Sequence, residues 1–486
     1  MNSTALDSKR RLSVLQQSPL DQEAQCPAPA PVTSRRDHLV ASRFNVRATT
    51  DDGRLILWNT FSTAMAVFKA GDVNAITTLL QASGVESEEE GIVRYLRDKG
   101  FLVPRGTDEY RKFLHAFGQQ HYRSDRLELI LLSSEDCNFR CTYCYEKFAR
   151  GTMRPDVRRG IKRLVEDRVS HLGVLTCAWF GGEPLYGWPA IEELGPFFVE
   201  TAERYGVAFG GSMTTNGYLL TPDIADKLLA WRINNFQITL DGKPSDHDCS
   251  RPTRDGRGSF ATIYDNLKSM ARRADPFLVS VRVNFSPNNI DGMDEFMDLL
   301  AKEFRDDPRF KVDFHAVGRW GGDNDENISV CATDDKRALV QAMKALAFKR
   351  GLGINTIKDA NAIGSQVCYA ARPYNFIIGA SGKVMKCTVV LDTAENNIVG
   401  QLGEDGQLVL NQDNMALWTE PSFSRDDQCQ KCVALPTCQG ISCPLPRIKE
   451  GTRPCVQTRT HGKDQLREML QYTSFNKRTP AKSPGE

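Results

Sequence analysis

The chain has 486 residues, too many for one ordinary core, and lengths of about 100–200 residues per domain leave room for two to four units. Its apolar and charged fractions, 41% and 25%, are those of an ordinary globular protein, and a formal charge of +1 supplies no field to recruit nucleic acid or membrane. No apolar run reaches the length of about 18 residues needed for a membrane span, and the N-terminus lacks a signal-peptide core, so a cytoplasmic protein without membrane or nucleic-acid partners is expected.

Residues 1–38, rich in Ser, Gln, Pro and Ala with an alternating run from Pro27 to Pro31, read as a disordered leader in which Cys26 is an incidental thiol. From Ser42, FNVRATT, the turn Asp51-Asp52-Gly53 and RLILWNT predict a β-hairpin. Two helical patterns follow, DVNAITTLLQAS and EEEGIVRYLRDKG, the second stopped by Gly100 before the short strand FLVP. A hairpin with two or three small helices makes 39–120 a compact winged-helix-like unit. It holds no cluster of catalytic residue types, which points to binding.

From Leu127 the chain alternates strand and helix patterns. The strands are expected at 127–133, 175–180, 211–215, 235–240, 278–285 and 310–316, with amphipathic segments such as VRRGIKRLVEDRV between them. Six such units in 121–345 predict an α/β fold with parallel strands in a partial, TIM-like (β/α)6 barrel, its functional groups at the C-terminal strand ends. From Cys368 periodicity thins, and seven of the fourteen cysteines fall within 88 residues. With no export signal, this spacing favours metal over disulfides, and 346–465 is expected to need metal to order it. The stretch after Cys455 is expected as a helix followed by a disordered tail, with 466–486 as the C-terminal tail.

Directly after the first barrel strand comes SSEDCNFRCTYCYEKF, in which Cys137, Cys141 and Cys144 are spaced Cys-x3-Cys-x2-Cys. Three thiolates on such a loop can bind three irons of a cubane and leave the fourth iron open to a substrate. Zinc would ask for paired CxxC elements or added histidine, and no histidine lies near. The second strand ends in FGGEPL, where Gly181 and Gly182 allow close backbone approach. The third ends in TTNG at Thr214–Gly217, and the fourth in ITLDG.

These residues resemble the radical S-adenosylmethionine (SAM) superfamily, whose hallmark loop has this spacing, an aromatic before the third cysteine (Tyr143 here) and this position after the first strand. The resemblance implies a [4Fe–4S] cluster on Cys137, Cys141 and Cys144 that cleaves SAM to a 5′-deoxyadenosyl radical. It matches Gly181, Gly182, Glu183 and Pro184 to the family's Gly-Gly-Glu-Pro, with Glu183 accepting from the methionine ammonium. Thr239, in place of the usual serine, and Arg251 are implied at the methionine carboxylate or ribose, with Asn216 near the same site. A flavodoxin- or ferredoxin-type donor is implied as the electron source.

The pattern Cys368, Gly382-x4-Cys387, Cys429-x2-Cys432-x5-Cys438-x4-Cys443 and Cys455 resembles the SPASM extension of peptide-modifying members, although Gln439 to Ser442 make the spacing before the sixth cysteine four rather than three. Position by position, this implies an outer [4Fe–4S] cluster on Cys429, Cys432, Cys438 and Cys455. An inner one falls to Cys368, Cys387 and Cys443, because the place of an eighth cysteine is taken by Tyr374. Three clusters are thus expected. Of the other cysteines, Cys177 reads as a buried apolar residue, while Cys249 and Cys331 sit in loops.

The expected activity is that of a peptide maturase, which abstracts hydrogen from a ribosomal precursor peptide to install a thioether or carbon–carbon crosslink. Its leader would be bound as an added strand by 39–120. The alternative is an anaerobic sulfatase maturase that forms formylglycine. Such enzymes place an Asp directly behind the Gly-x4-Cys cysteine, where this chain has Thr388. Asp313 on the sixth strand is the expected base, with pairing to Arg282 as its structural alternative.

Overall fold

The structure is a computed structural model and describes residues 38–476, apart from 88–89, 149–150, 333–334, 356–362, 392–393 and 454. Cys26 and the leader, like the end of the expected tail, lie outside the described residues. Six parallel strands, Arg126–Ser134, Val174–Gly181, Ala208–Thr215, Ile233–Thr239, Leu278–Phe285 and Phe310–Ala316, neighbour one another in chain order. Alternation decides their faces. Leu127, Leu129 and Leu131, then Leu175, Cys177 and Trp179, then Val279, Val281 and Val283, all bury outward beneath the helices.

The helices between strands begin and end on local signals. Pro155 and Pro222 open two of them at the position where a missing N–H costs nothing, and Thr221 caps the second through Ile224 N. Trp188–Tyr205 ends on Gly206, whose φ of +68° is left-handed. Each returns the chain to the next parallel strand, so all six C-terminal strand ends share one rim.

The first and sixth strands do not pair, so the sheet is open and is extended on both flanks. Gly353–Ile354 adds parallel to the sixth strand. Asn375–Ile378 adds parallel to the first and is followed by the antiparallel strands Lys383–Met385, Ile398–Leu402 and Leu408–Leu410. The cysteine-rich region is therefore joined to the barrel by the same hydrogen-bonded sheet of eleven strands. Among the described residues no helix is long and apolar enough to cross a membrane.

Before the barrel, the expected hairpin is a three-stranded meander of Asn45–Thr49, Leu55–Asn59 and Met65–Phe68. Beside it lies a second sheet of Val85–Glu86, His38–Ala41 and Leu102–Pro104. Helices Val73–Gln81 and Gly91–Asp98 bury Ile76, Leu80, Val93 and Leu96 in one core with Leu55 and Leu57. The other face of the meander, Val46, Ala48, Ile56 and Trp58, is covered by Leu466 and Met469 of the helix Gln457–Asn476, which starts just after Cys455, where a helix is expected. That helix also reaches the barrel, where Asp464 pairs with Arg337 at 2.7 Å.

The helix Glu109–His121 joins the N-terminal region to the cysteine-rich one: Phe113 and Phe117 pack edge-on against Phe423. At its end His121 stacks on Phe117 and faces Thr419 O at 3.2 Å, and burial, reinforced by the positive Lys386 and Arg372, lowers its pKa to about 4. A pKa depressed from 6.5 means that the unfolded chain takes up this proton first as pH falls. The stability from a neutral His121 is whole above pH 6.5 and lost on the way down through pH 4, amounting to about 3 kcal/mol. Urea midpoints measured from pH 7.5 to 4 should fall more steeply for the parent than for His121→Asn.

Candidate active site

The three-cysteine loop leaves the first barrel strand and is held from both sides by backbone. Gly182 N and Glu183 N donate to the carbonyls of Ser134 and Asp136, each at 3.0 Å, while Arg140 N and Thr142 N donate to Pro252 and Ser250 at 3.0 and 2.9 Å. The first contact explains the paired glycines. A Cβ on Gly181 would stand 2.0 Å from Ser134 O and one on Gly182 2.5 Å from Asp136 O, and Gly181 has φ +126°. Only glycine lets the second strand end lie this close to the loop.

Cys137, Cys141 and Cys144 line a cavity of about 500 Å³ at the shared rim, together with Gly181, Gly182, Asn216, Thr239 and Arg251. Burial pushes all three thiols up, Cys144 to about 12, so they are protonated at neutral pH and binding a metal must expel their protons. Among the described residues no three His, Cys, Asp or Glu side chains gather as ligands of a single ion would. The thiolates of a cubane go to separate irons and need not meet at one point. Asn216 ties the loop to the third strand, donating from Nδ2 to Asn138 Oδ1 at 2.8 Å.

Glu183 is fully buried, and it and Pro184 stand behind the cavity wall. Its carboxylate accepts from Leu185 N at 3.0 Å, Thr215 Oγ1 at 2.7 Å and Asn216 N at 2.7 Å, which fastens the second strand end to the third. Burial raises its pKa against those three donors.

Tyr143 is more than the aromatic of its motif. Its hydroxyl donates to Asp241 Oδ2 and accepts from Arg251 Nη1 at 2.7 Å and Asn284 Nδ2 at 3.1 Å. Arg251 is 7% exposed, and its Nε is buried without any partner. A guanidinium in a cavity wall, beside three thiols and with only its Nη1 hydrogen-bonded among the described residues, suits an anionic group carried by a small ligand.

Asp313, expected as a base, does not line the cavity. Its carboxylate lies 2.8 Å from His315 Nε2, and although burial raises its pKa, His315, Arg282 and Lys344 bring it below the ordinary value. The alternative partner Arg282 donates instead to Asn284 Oδ1 at 2.9 Å. His315 is the member of the pair that lines the cavity. It was visible in FKVDFHA as the residue two positions on, on the same strand face as Asp313. Glu146 also lines the cavity, and burial followed by Glu135 pushes its carboxyl up to about 8. No motif marked it.

The C-terminal cysteines fall into two groups. Cys429, Cys432, Cys438 and Cys455 line one small pocket, with Arg453 and Arg459 at its edge. Cys368, Cys387 and Cys443 form the other, in which burial and then neighbouring thiols raise Cys368 to about 11 and raise Cys387 as well. Tyr369 and Thr388, next in sequence to Cys368 and Cys387, line the same cavity as Cys137, Cys141 and Cys144, and their hydroxyls meet at 2.7 Å. Tyr374 is turned elsewhere, with its ring under Arg168. Cys177 is buried in its strand, Cys331 is buried against the barrel core and Cys249 is exposed. None of the described cysteines is in a disulfide.

An open parallel sheet with three thiols lining a cavity at its shared rim defines an α/β protein whose candidate site lies at the C-terminal strand ends. Residues 131–300 match the radical SAM superfamily, so the chain carries a radical SAM domain, and that family implies SAM and a [4Fe–4S] cluster. Among curated proteins, the radical SAM cyclopropyl synthase TigE of Paramaledivibacter caminithermalis is 26% identical over 205 residues, covering 37% of this chain and 41% of the relative. The mycofactocin maturase MftC of Mycolicibacterium smegmatis is 28% identical over 170 residues, 34% of this chain and 39% of the relative. The chain thus spans about two-fifths of these relatives. Among solved structures, native anSMEcpe with bound AdoMet shares the fold at a TM-score of 0.54 and 17% identity, covering 73% of this chain and 100% of that one.

Proposed function

We propose that the chain is a radical SAM maturase that modifies a ribosomally made peptide. The observation that carries this reading is the single cavity bounded on one side by Cys137, Cys141 and Cys144 and on the other by the neighbours of Cys368 and Cys387. In this reading the first three cysteines hold the SAM-cleaving cluster, Cys429, Cys432, Cys438 and Cys455 an outer auxiliary cluster, and Cys368, Cys387 and Cys443 an inner one, with residues 346–465 as the SPASM domain. When loaded, these groups supply a 5′-deoxyadenosyl radical and a sink for the electron left on the substrate, with a flavodoxin- or ferredoxin-type protein as donor.

The chain's own residues do the rest. Arg251 and Thr239 bind the methionyl end of SAM, Gly181 and Gly182 offer it backbone, and Tyr145, Phe180, Tyr369 and Trp320 wall the cavity against water. Donating Nε2–H to Asp313 leaves His315 Nδ1 as the proton acceptor facing a peptide, with Asp313 as its orienting carboxylate. The 39–120 unit, winged-helix-like in this reading, presents the free edge of Met65–Phe68 to a leader strand. Maturases among the curated relatives support the substrate class. The formylglycine reading keeps support from a 30% identical stretch of the Clostridium novyi cysteine-type anaerobic sulfatase-maturating enzyme. Against it, Thr388 stands where that chemistry would want a carboxylate, and its hydroxyl is engaged by Tyr369.

Reconstituted, reduced protein given SAM should release 5′-deoxyadenosine, and the Cys137/Cys141/Cys144 triple Ala variant should release none above the protein-free blank. Equal release from both removes the radical reading. Co-expression with short reading frames beside the gene, followed by mass spectrometry, separates a crosslinked peptide from conversion of a sulfatase-derived cysteine peptide to its aldehyde.

A further inference from the structure

We infer that Tyr143, Asp241 and Asn284 are positioning residues that hold the Arg251 guanidinium in the radical cavity, ready for the carboxylate of an amino-acid-type sulfonium ligand. The inference rests on SAM occupying this cavity, not on the peptide reading. A phenol hydroxyl has one hydrogen and two acceptor sites, and all three are used here: the hydrogen on Asp241, the lone pairs on Arg251 and Asn284. An aromatic ring alone would satisfy packing at this position. The hydroxyl does something further, because it stands between a buried cation and a buried anion and keeps them from closing on each other.

Asp241 is itself fixed. It is 1% exposed, Oδ1 accepts from Asn284 N at 3.0 Å and Asn284 Nδ2 at 3.1 Å, and its N–H points to His247 Nδ1 at 3.1 Å. His247 is in turn bonded through Ser259, whose hydroxyl donates to Arg251 O at 2.7 Å. The anion cannot travel, so the position of Arg251 depends on the hydroxyl between them. Arg251 is left with Nη1 anchored, its guanidinium over the Phe139 ring, and Nε buried and unpartnered in the wall. One corner of the fork is tethered through Nη1, and the Nη2 corner, which no group among the described residues engages, is left for a ligand.

Replacing Tyr143 by Phe keeps the ring but removes the hub. Guanidinium and carboxylate, no longer separated, pair directly, and the fork turns from the cavity. Equilibrium binding of SAM to the anaerobically reconstituted, unreduced protein reads this without turnover, with iron per chain measured on every variant. Tyr143→Phe is expected to weaken binding roughly tenfold at unchanged iron content. In an Arg251→Gln background the same change should cost less than about twofold, because the group it positions is gone. Should Tyr143→Phe lose iron, Asn284→Ala takes its place in the cycle, since it removes a donor to the hydroxyl from outside the cysteine loop. Parental affinity in the iron-replete single variant overturns the inference, as does an equal loss in both backgrounds. Parental affinity in Arg251→Gln overturns the assignment of Arg251 beneath it and leaves the peptide reading untouched.

Discussion

Gly181→Ala is expected to yield a protein that binds little or no iron at its three-cysteine loop and unfolds at markedly lower urea. The added Cβ would stand 2.0 Å from Ser134 O, and that oxygen cannot give way, because it accepts from Gly182 N at 3.0 Å and belongs to the last residue of the first barrel strand. The φ of +126° adds strain of about 1–3 kcal/mol for any residue with a side chain. Overpacking against rigid backbone adds about as much again, so a loss of roughly 3 kcal/mol or more follows. Gly182→Ala should behave alike, its Cβ meeting Asp136 O at 2.5 Å. The control lies on the next strand: Gly210 has nothing within 4 Å of an added Cβ, and Gly210→Ala should hold parental iron and stability within about 0.5 kcal/mol. If Gly181→Ala keeps both iron and midpoint, the close approach is not what the paired glycines are for.

That approach was only half legible in the sequence. FGGEPL announced backbone proximity, but not which backbone, since the partner carbonyls of Ser134 and Asp136 come from the first strand's end and the cysteine loop, roughly 45 residues earlier. The barrel strands were legible because alternation is local. The expected 278–285 and 310–316 coincide with the observed Leu278–Phe285 and Phe310–Ala316. The third strand starts earlier than expected, at Ala208, because Gly210 and Gly211 hide its alternation; Gly211 is small because Ile233 of the neighbouring strand lies against it. The strands Asn375–Ile378 and Lys383–Met385 were not foreseen. They are short, and what makes the first of them a strand is parallel pairing with Arg126–Ser134, a contact no local pattern carries. The family resemblance set Cys429, Cys432, Cys438 and Cys455 apart from Cys368, Cys387 and Cys443, yet the contacts of Asp241 and Asn284 were hidden, because LDG reads as a turn and Asn284 as one polar residue in a strand. Their partners are brought in by the loop at Tyr143.

Glu183→Ala is the second large effect expected, and it separates two roles for one carboxylate. By resemblance Glu183 meets the ammonium of SAM; in the structure its oxygens serve Leu185 N, Thr215 Oγ1 and Asn216 N, and it stands behind the wall. Removing it strands three buried donors. At about 1–3 kcal/mol for each unmet group, less the relief of no longer burying a charge, a loss of roughly 3 kcal/mol or more is expected. Glu183→Gln should lose less, because its amide oxygen can serve Leu185 and Thr215 while its NH2 group confronts Asn216 N. A ligand role predicts a different order. Both variants would then lose SAM affinity to a similar degree, as Arg251→Gln should, and keep the parental midpoint. Denaturant midpoints and SAM binding measured side by side on Glu183→Ala, Glu183→Gln and Arg251→Gln decide between them. A loss of stability graded from Glu183→Ala to Glu183→Gln makes Glu183 the bolt between the second and third strand ends, through which the Gly-Gly turn and Asn216 keep the cavity in shape.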